Sequence, residues 1–199
     1  MRFAYLCCDF GVPLFGTGGS SIHLQEITRA LRKSGHEVMV FSPNLGAASK
    51  STKGEDFHHV PLDGFAACAV NIMASENLEQ ASHLPNELRA LLYSEHSQQT
   101  LYPLLSSFQP DMIYERYSLF SYAGVELARR LKVPLVLEVN APLRQEQAKY
   151  RQLLLERTAE ELEREIFNRA DALIVVSTAL ADYAQQLGVP LGKITVLPN

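Results

Sequence analysis

The sequence has no tryptophan, only three cysteines and no long apolar run. Cys7, Cys8 and Cys68 lack CxxC spacing and are odd in number, which argues against both a zinc site and a disulfide framework. No segment reaches the roughly 18 consecutive apolar residues that a membrane span needs, so any membrane contact is expected at the surface. Reduced cysteines and the lack of a signal-peptide pattern after Met1 predict a cytoplasmic protein.

The sequence also lacks a large excess of charge of either sign. There are 18 Lys and Arg against 22 Asp and Glu, a formal net charge of -4. Because nucleic-acid binding needs clustered basic residues, this balance argues against a nucleic-acid partner. The content of 47% hydrophobic and 20% charged residues is typical of a globular protein, and 199 residues suffice for one domain with its own core.

Short apolar runs alternate with segments of helical period, a pattern typical of βαβ units. The sequence therefore predicts an α/β fold: a Rossmann-like, doubly wound, mainly parallel sheet with helices on both faces. Seven strands are predicted, at Arg2–Cys8, Glu37–Ser42, His59–Leu62, Asp111–Tyr114, Leu135–Val139, Ala172–Ser177 and Lys193–Leu197.

The intervening segments predict helices, and a polar run at 45–54 predicts a surface loop. An apolar stripe from Leu24 marks one helix that ends near Ser34 and stops at Gly35. One or two helices lie within Ala81–Phe108, and apolar stripes predict three more at Phe120–Leu131, Arg144–Arg169 and Thr178–Leu187. No helix follows the last strand. We therefore expect residues 1–199 to be an N-terminal domain that lacks a second, C-terminal domain.

A glycine-rich segment, Gly16-Thr17-Gly18-Gly19-Ser20-Ser21, lies between the first strand and the first helix. Free amides and the positive end of a helix dipole make such a position an anion site, and glycine lets a phosphate approach closely. The structural alternative is a flexible turn in which Ser20 or Ser21 caps the helix.

The same segment departs from the dinucleotide-binding motif. Ser21 occupies the position of the third glycine, and the second strand ends in Phe41-Ser42-Pro43 without the acidic residue that binds ribose. The segment does not match a P-loop either, because no Gly-Lys-Ser/Thr follows. These departures argue against a nicotinamide cofactor.

Several short motifs together resemble a known family. Gly18-Gly19, His23, Leu31 and Gly35-His36-Glu37-Val38 are similar to the start of the N-terminal domain of retaining glycosyltransferases of family four, which have two facing Rossmann-like domains (the GT-B architecture). The C-terminal run is also similar, at Asp171-Ala172, Val176-Ser177, Gly188-Val189-Pro190, Lys193-Ile194 and Leu197-Pro198-Asn199. The resemblance covers almost the whole chain.

The resemblance implies a division of labour. The N-terminal domain binds the acceptor, and its glycine loop contacts the phosphates of a nucleotide-sugar donor. The absent C-terminal domain binds most of the donor. The acceptor is then a glycan, a lipid or a small molecule, and configuration is retained. No metal is expected where helix ends and cations stabilise the leaving phosphate. The isolated chain is expected to be inactive.

Two strand ends carry further candidates, because open α/β sheets bind ligands at the carboxyl ends of their strands. Glu115 and Arg116 can orient a polyhydroxyl acceptor or pair with each other, and Glu138 and Asn140 have the same two alternatives. Many relatives have a histidine near the position of Asn140, so a histidine-assisted step is in doubt here. His23 either approaches the cleft or is packed.

The catalytic candidates are therefore Glu138 and Asn140, and the substrate-binding candidates are Gly18, Gly19, Ser20, His23, Glu115, Arg116 and Tyr117. Two alternative functions stay open. One is a sugar-nucleotide epimerase of the same architecture, and the other is a non-catalytic flavodoxin-like domain that responds to nucleotides or binds a protein.

Overall fold

The computed structural model describes residues 1–46, 57–76 and 82–198. Its sheet has seven parallel strands in the order β3-β2-β1-β4-β5-β6-β7. They are β1 (Arg2–Cys7), β2 (Glu37–Ser42), β3 (Phe57–His59), β4 (Met112–Arg116), β5 (Leu135–Val139), β6 (Ala172–Val175) and β7 (Ile194–Val196). This is the α/β, Rossmann-like architecture that the sequence predicted.

Seven α-helices connect these strands within the described ranges. They are α1 (Gly19–Lys33), α2 (Gly64–Ser75), α3 (Leu84–Phe108), α4 (Ala123–Leu131), α5 (Leu143–Tyr150), α6 (Glu156–Arg169) and α7 (Thr178–Gln186). Gly35 and Gly188 follow α1 and α7 with φ of 83° and 95°, a conformation that glycine adopts without strain. The predicted helix stops are therefore confirmed.

The sheet is buried on both faces. On one face, Tyr5, Cys7 and Val38 pack with Leu24 of α1. On the other face, Leu6, Ile113 and Leu137 pack with residues of α3, α4, α6 and α7. Consecutive residues of a strand thus enter different cores, which explains the nearly continuous apolar strands.

The chain changes direction in the sheet beside β1, whose two neighbours are β2 and β4. Such a switch point opens a crevice at the carboxyl ends of the two strands, because the connections leave in opposite directions. The loops after β1 and β4 therefore border the natural ligand-binding edge of this domain.

Three sequence predictions need correction. The single helix predicted at Arg144–Arg169 is two helices, α5 and α6, because a bent link interrupts it. The third strand lies at Phe57–His59 rather than His59–Leu62, in register with Val40–Ser42. Helix α2 was not predicted, since its apolar residues run all around it without a helical stripe. The loop predicted at 45–54 lies mostly outside the described residues.

Candidate functional site

Helix α1 begins with exposed glycines at the carboxyl edge of the sheet. Gly18 is the N-cap, with extended φ and ψ of -73° and 156°, and no side chain caps the helix. The alternative that Ser20 or Ser21 caps it is therefore wrong. A Cβ placed on Gly18 or Gly19 would meet no atom within 4 Å, so the first amides of α1, including that of Ser20, border open space.

Side chains from two elements hold the loop before α1. Gln25 Nε2 donates to the carbonyl oxygens of Leu14 and Gly16, at 2.9 and 3.0 Å, and Asn44 Nδ2 donates to that of Phe10 at 2.8 Å. A Cβ on Gly16 would lie 2.6 Å from Ser21 Oγ, so only glycine fits there. These hydrogen bonds and the close approach of Gly16 to Ser21 hold the loop against α1, while Gly18 and Gly19 remain exposed.

His23 links α1 to the end of β5. It lies four residues after Gly19, one helical turn, and its Nε2 hydrogen bonds to Oε1 of Glu138, whose side chain is buried. Tyr5 donates its hydroxyl proton to Glu138 Oε2 at 3.4 Å. Burial, and then the charge of Glu138, raise the pKa of Tyr5 well above its usual range, so Tyr5 remains a neutral donor.

Arg116 stands beside this pair. It is the register partner of Glu138 across β4 and β5, so both side chains are on the α1 face of the sheet. The Nη1 atom of Arg116 is buried and has no hydrogen-bond partner among the described residues. The structure therefore brings together Gly18, Gly19, His23, Glu138 and Arg116 at one edge of the sheet.

Glu115 points to the opposite face. Its register partner is Leu137, and Ser121 Oγ donates to its Oε1 at 2.9 Å. Because Glu115 and Arg116 enter different faces and no ion pair joins them, the alternative that they pair with each other is wrong. Burial raises the pKa of Glu115 to about 7. Gly124 packs so closely against Oε2 that a Cβ there would overlap it.

Tyr117 belongs to a buried network on that second face. Its hydroxyl donates to Glu163 Oε1 at 3.1 Å, while Arg144 Nε donates to Glu163 Oε2 at 2.9 Å and the Tyr183 hydroxyl donates to the same oxygen. Glu163 is fully buried in α6. The sequence analysis did not identify Glu163. The signal that could have found it is its position on the apolar stripe of the helix, at helical spacing from Ala159 and Ile166.

Asn140 directly follows β5 and is half-buried. It therefore lies at the same carboxyl edge of the sheet as Glu138, two residues away.

A cleft of about 610 Å³ lies at the switch point, and we call it the α3–α5 cleft after the helices that form its walls. Asp9 and Phe10 after β1 and Ser118 after β4 line its base, while Arg89 of α3 and Gln147 of α5 lie on its walls. The cleft thus occupies the sheet edge where this class of fold binds ligands.

Two polar groups of the cleft have no partner. The guanidinium carbon of Arg89 stands 4.5 Å from the centre of the Phe10 ring and Nη2 donates to Asn86 Oδ1 at 3.0 Å, but Nε is buried without a hydrogen-bond partner in the described structure. Ser118 is 4% exposed and its Oγ is also unpaired. No motif identified either residue in the sequence. Unpaired buried polar groups are rare in proteins, so both are candidates for ligand contact.

Cys7 ends β1 and Cys8 follows it, and the two are buried in the cores on opposite faces of the sheet. Burial raises the pKa of Cys7 to about 12, which disfavours the thiolate form that acts as a nucleophile. Across the described ranges, no three His, Cys, Asp or Glu side chains come together as metal ligands. No helix in those ranges is both long and apolar enough to cross a bilayer.

The comparisons with known proteins agree with this geometry. A family model described as Glycosyltransferase Family 4 matches residues 17–199. The D-inositol 3-phosphate glycosyltransferase of Paenarthrobacter aurescens strain TC1 is 28% identical over 189 residues, which cover 91% of this chain and 43% of that protein.

Solved structures share the fold. The Anabaena protein Alr3699/HepE, in complex with UDP-glucose, superposes with a TM-score of 0.62 at 16% identity, over 100% of this chain and 44% of the other. The UDP-GlcNAc 2-epimerase of Methanocaldococcus jannaschii superposes at 0.61 with 15% identity, over 100% and 46%. The chain thus spans less than half the length of each of these proteins.

Proposed function

Because the chain belongs to glycosyltransferase family 4, we propose that it is the N-terminal, acceptor-binding half of an enzyme that transfers a sugar from a nucleotide sugar to a hydroxyl group. The observation that carries this proposal is the open start of α1, where Gly18 and Gly19 leave the helix amides free beside the linked side chains of His23 and Glu138. A helix N-terminus with glycines is suited to a diphosphate.

The chemistry follows from charge. Breaking the bond between the anomeric carbon and the phosphate oxygen leaves negative charge on the diphosphate, which the amides of Gly18 to Ser20 and the helix dipole stabilise. The acceptor oxygen forms its bond to the anomeric carbon from the same side, and its proton passes to the departing phosphate oxygen. Configuration is retained, and no metal takes part. Glu138 and Asn140 orient groups near the transferred sugar.

The acceptor occupies the α3–α5 cleft in this proposal. The cleft offers hydrogen-bond donors and acceptors together, because Nε of Arg89 and Oγ of Ser118 have no partner and Asp9 also lines it, and the Phe10 ring supplies an apolar surface. Such a mixture suits a hydroxyl-rich group, which both donates and accepts. A glycan, a glycolipid headgroup or a small polyol fits this description.

A second domain outside this chain completes the enzyme in our proposal. This second domain binds the nucleotide and closes over the start of α1. Residues 1–199 alone therefore bind a donor weakly and do not turn it over. The lengths of the relatives support this, since the chain covers 43% of the Paenarthrobacter protein. Sequencing the reading frame beyond Asn199 tests it, and a stop codon there would argue against catalysis.

Calorimetric titration of residues 1–199 tests the function of the glycines. UDP-glucose is expected to bind weakly and NAD⁺ not at all, and Gly19→Ala is expected to abolish the UDP-glucose signal. Gly192→Ala is the matched control, because a Cβ at Gly192 also meets no atom within 4 Å, in a turn before β7. Binding of NAD⁺, or equal binding by both variants, would overturn the proposal.

A sugar-nucleotide epimerase is the second candidate, favoured by the fold shared with the UDP-GlcNAc 2-epimerase. The two candidates differ in whether an acceptor is needed. An epimerase converts its nucleotide sugar alone, whereas a transferase with the whole reading frame forms a glycoside only when an acceptor is added. The non-catalytic alternative predicts a protein partner and no binding of sugar nucleotides.

A further inference from the structure

Helix α5 forms one wall of the α3–α5 cleft and touches the core only through the partly buried Leu143 at its start. Gln147 and Tyr150 line the cleft, yet none of the residues of α5 is buried. Tyr150 is 70% exposed. A short helix without a buried face is marginal in water, so contacts at its ends must set its position.

The first end is held by an ion pair. Arg144, in the first turn of α5, donates from Nε to Oε2 of Glu163 at 2.9 Å. Glu163 is fully buried and also accepts from the hydroxyls of Tyr117 and Tyr183, so three donors satisfy its carboxylate. A buried carboxylate with this many donors is strongly localised, and α5 takes its starting point from it.

The second end is held by a carboxylate from the opposite wall. Glu87 of α3 is 4% exposed, and its two oxygens accept from the backbone amides of Leu154 and Leu155, at 2.9 and 2.8 Å. Leu155 is the N-cap of α6, so this contact stabilises the bent link between α5 and α6. Both ends of residues 143–155 are therefore fixed by acids from other helices.

We propose that Glu87 and Glu163 are positioning residues that set the α5 wall and thereby determine which acceptor the cleft takes, with Gln147 and Tyr150 as specificity-determining residues. The inference rests on the proposed function, in which the acceptor occupies this cleft. Because α5 contributes only the partly buried Leu143 to the packing of the core, its other cleft-facing side chains can change without loss of packing. The two acids, in contrast, must be kept for the wall to stay in place.

The first experiment measures the local stability of the α5 wall through the exchange of its backbone amides. Hydrogen exchange of residues 1–199 is compared for the wild type, Glu163→Gln and Glu87→Gln. Amides of 146–155 are expected to exchange about tenfold faster in both variants, while those of the sheet do not change. The matched control is Glu165→Gln, on the same helix as Glu163 but in an exposed pair with Arg169. If Glu163→Gln does not fold, Arg144→Gln breaks the same contact from the half-buried side.

The second experiment uses the whole protein, UDP-glucose and the best acceptor from a screen of sugars, inositol phosphates and glycolipid headgroups. The KM for the acceptor is expected to rise about tenfold in both variants, and the KM for UDP-glucose to stay within about twofold. A merely structural role would move both constants or neither.

The outcomes separate the two proposals. If the wild type glycosylates nothing in the screen, the proposed function fails and this inference fails with it. If the wild type transfers sugar but the variants keep the acceptor KM, or exchange at 146–155 is unchanged, only the positioning of the wall is wrong. A Tyr150→Ala variant that alters the ranking of acceptors with unchanged protection of the sheet supports the specificity part.

Discussion

The imidazole of His23 bonds to the carboxylate of Glu138, two residues separated by 115 positions in the chain. The contact joins α1, which follows β1, to the end of β5, and β4 lies between those two strands in the sheet. It therefore fixes the direction of the first turns of α1, where Gly18 and Gly19 are exposed. The proposed diphosphate site depends on this alignment more than on any side chain that would touch the ligand.

Glu138→Gln tests the link. The amide keeps the shape of the carboxylate but weakens the charge-assisted hydrogen bond with His23, so we expect a loss of about 1 kcal/mol in the free energy of unfolding and about tenfold in UDP-glucose affinity. Urea unfolding and calorimetry measure the two. Glu126→Gln, which removes a surface pair with Arg129, should change either by less than about 0.5 kcal/mol. Unchanged affinity in Glu138→Gln would refute the role of the link.

Gly19→Ala separates folding from binding. Gly19 is the first residue of α1 and has free space around it, so alanine should leave stability unchanged or raise it by up to about 1 kcal/mol. The added methyl group occupies the approach to the amides, and we expect UDP-glucose affinity to fall at least about tenfold. Thermal unfolding and calorimetry on the same sample decide this. A stabilised variant that binds normally would contradict the site.

Sequence periodicity predicted most of the fold because the strands are apolar and the helices between them are striped. It failed between α5 and α6, where the helical period continues across the break. The break is held by Glu87, which lies 67 residues before Leu154, and such a non-local contact leaves no mark on the local pattern. Helix α2 was missed for the opposite reason, since it is apolar on every side.

The candidate site was predicted to the extent that its chemistry is local. The glycines and His23 stand close together in sequence, and their positions before and within a helix follow from residue type. Arg89 and Ser118 were not found, because only the folded chain shows that their polar atoms are buried without partners. Glu115 and Arg116 were predicted together, but strand alternation sends them to opposite faces.

Gly124→Ala is expected to be strongly destabilising. A methyl group at this position would overlap Glu115 Oε2 and lie 3.3 Å from Leu135 Cδ1, so the buried carboxyl must move. We expect a loss of about 2 kcal/mol in the free energy of unfolding, measured in urea. The double variant Gly124→Ala with Glu115→Ala should recover part of that loss, and failure to do so would place the strain elsewhere.

Metal removal is expected to leave transfer unchanged. In the proposed mechanism, helix amides and cations stabilise the leaving diphosphate, so no divalent ion is required. The whole protein, dialysed against EDTA, should keep its rate with UDP-glucose to within about twofold, allowing for the small effect of ions on free nucleotides. A loss that Mg²⁺ or Mn²⁺ restores would show that a metal takes part.

Glu115 makes stability depend on pH in a defined direction. Burial raises its pKa from 4.5 to about 7, so the folded state keeps a proton that the unfolded state has lost between these values. The contribution of Glu115 to stability is therefore fully present below pH 4.5 and is lost as the pH rises through 7. At about 1.4 kcal/mol per pH unit, the full effect is roughly 3 kcal/mol.

Glu115→Gln cannot ionise and still accepts from Ser121, so it should gain stability relative to wild type between pH 5 and pH 8. Urea unfolding at both values measures this, with Glu165→Gln as the exposed control. Parallel curves for wild type and Glu115→Gln would show that the carboxyl is ionised throughout.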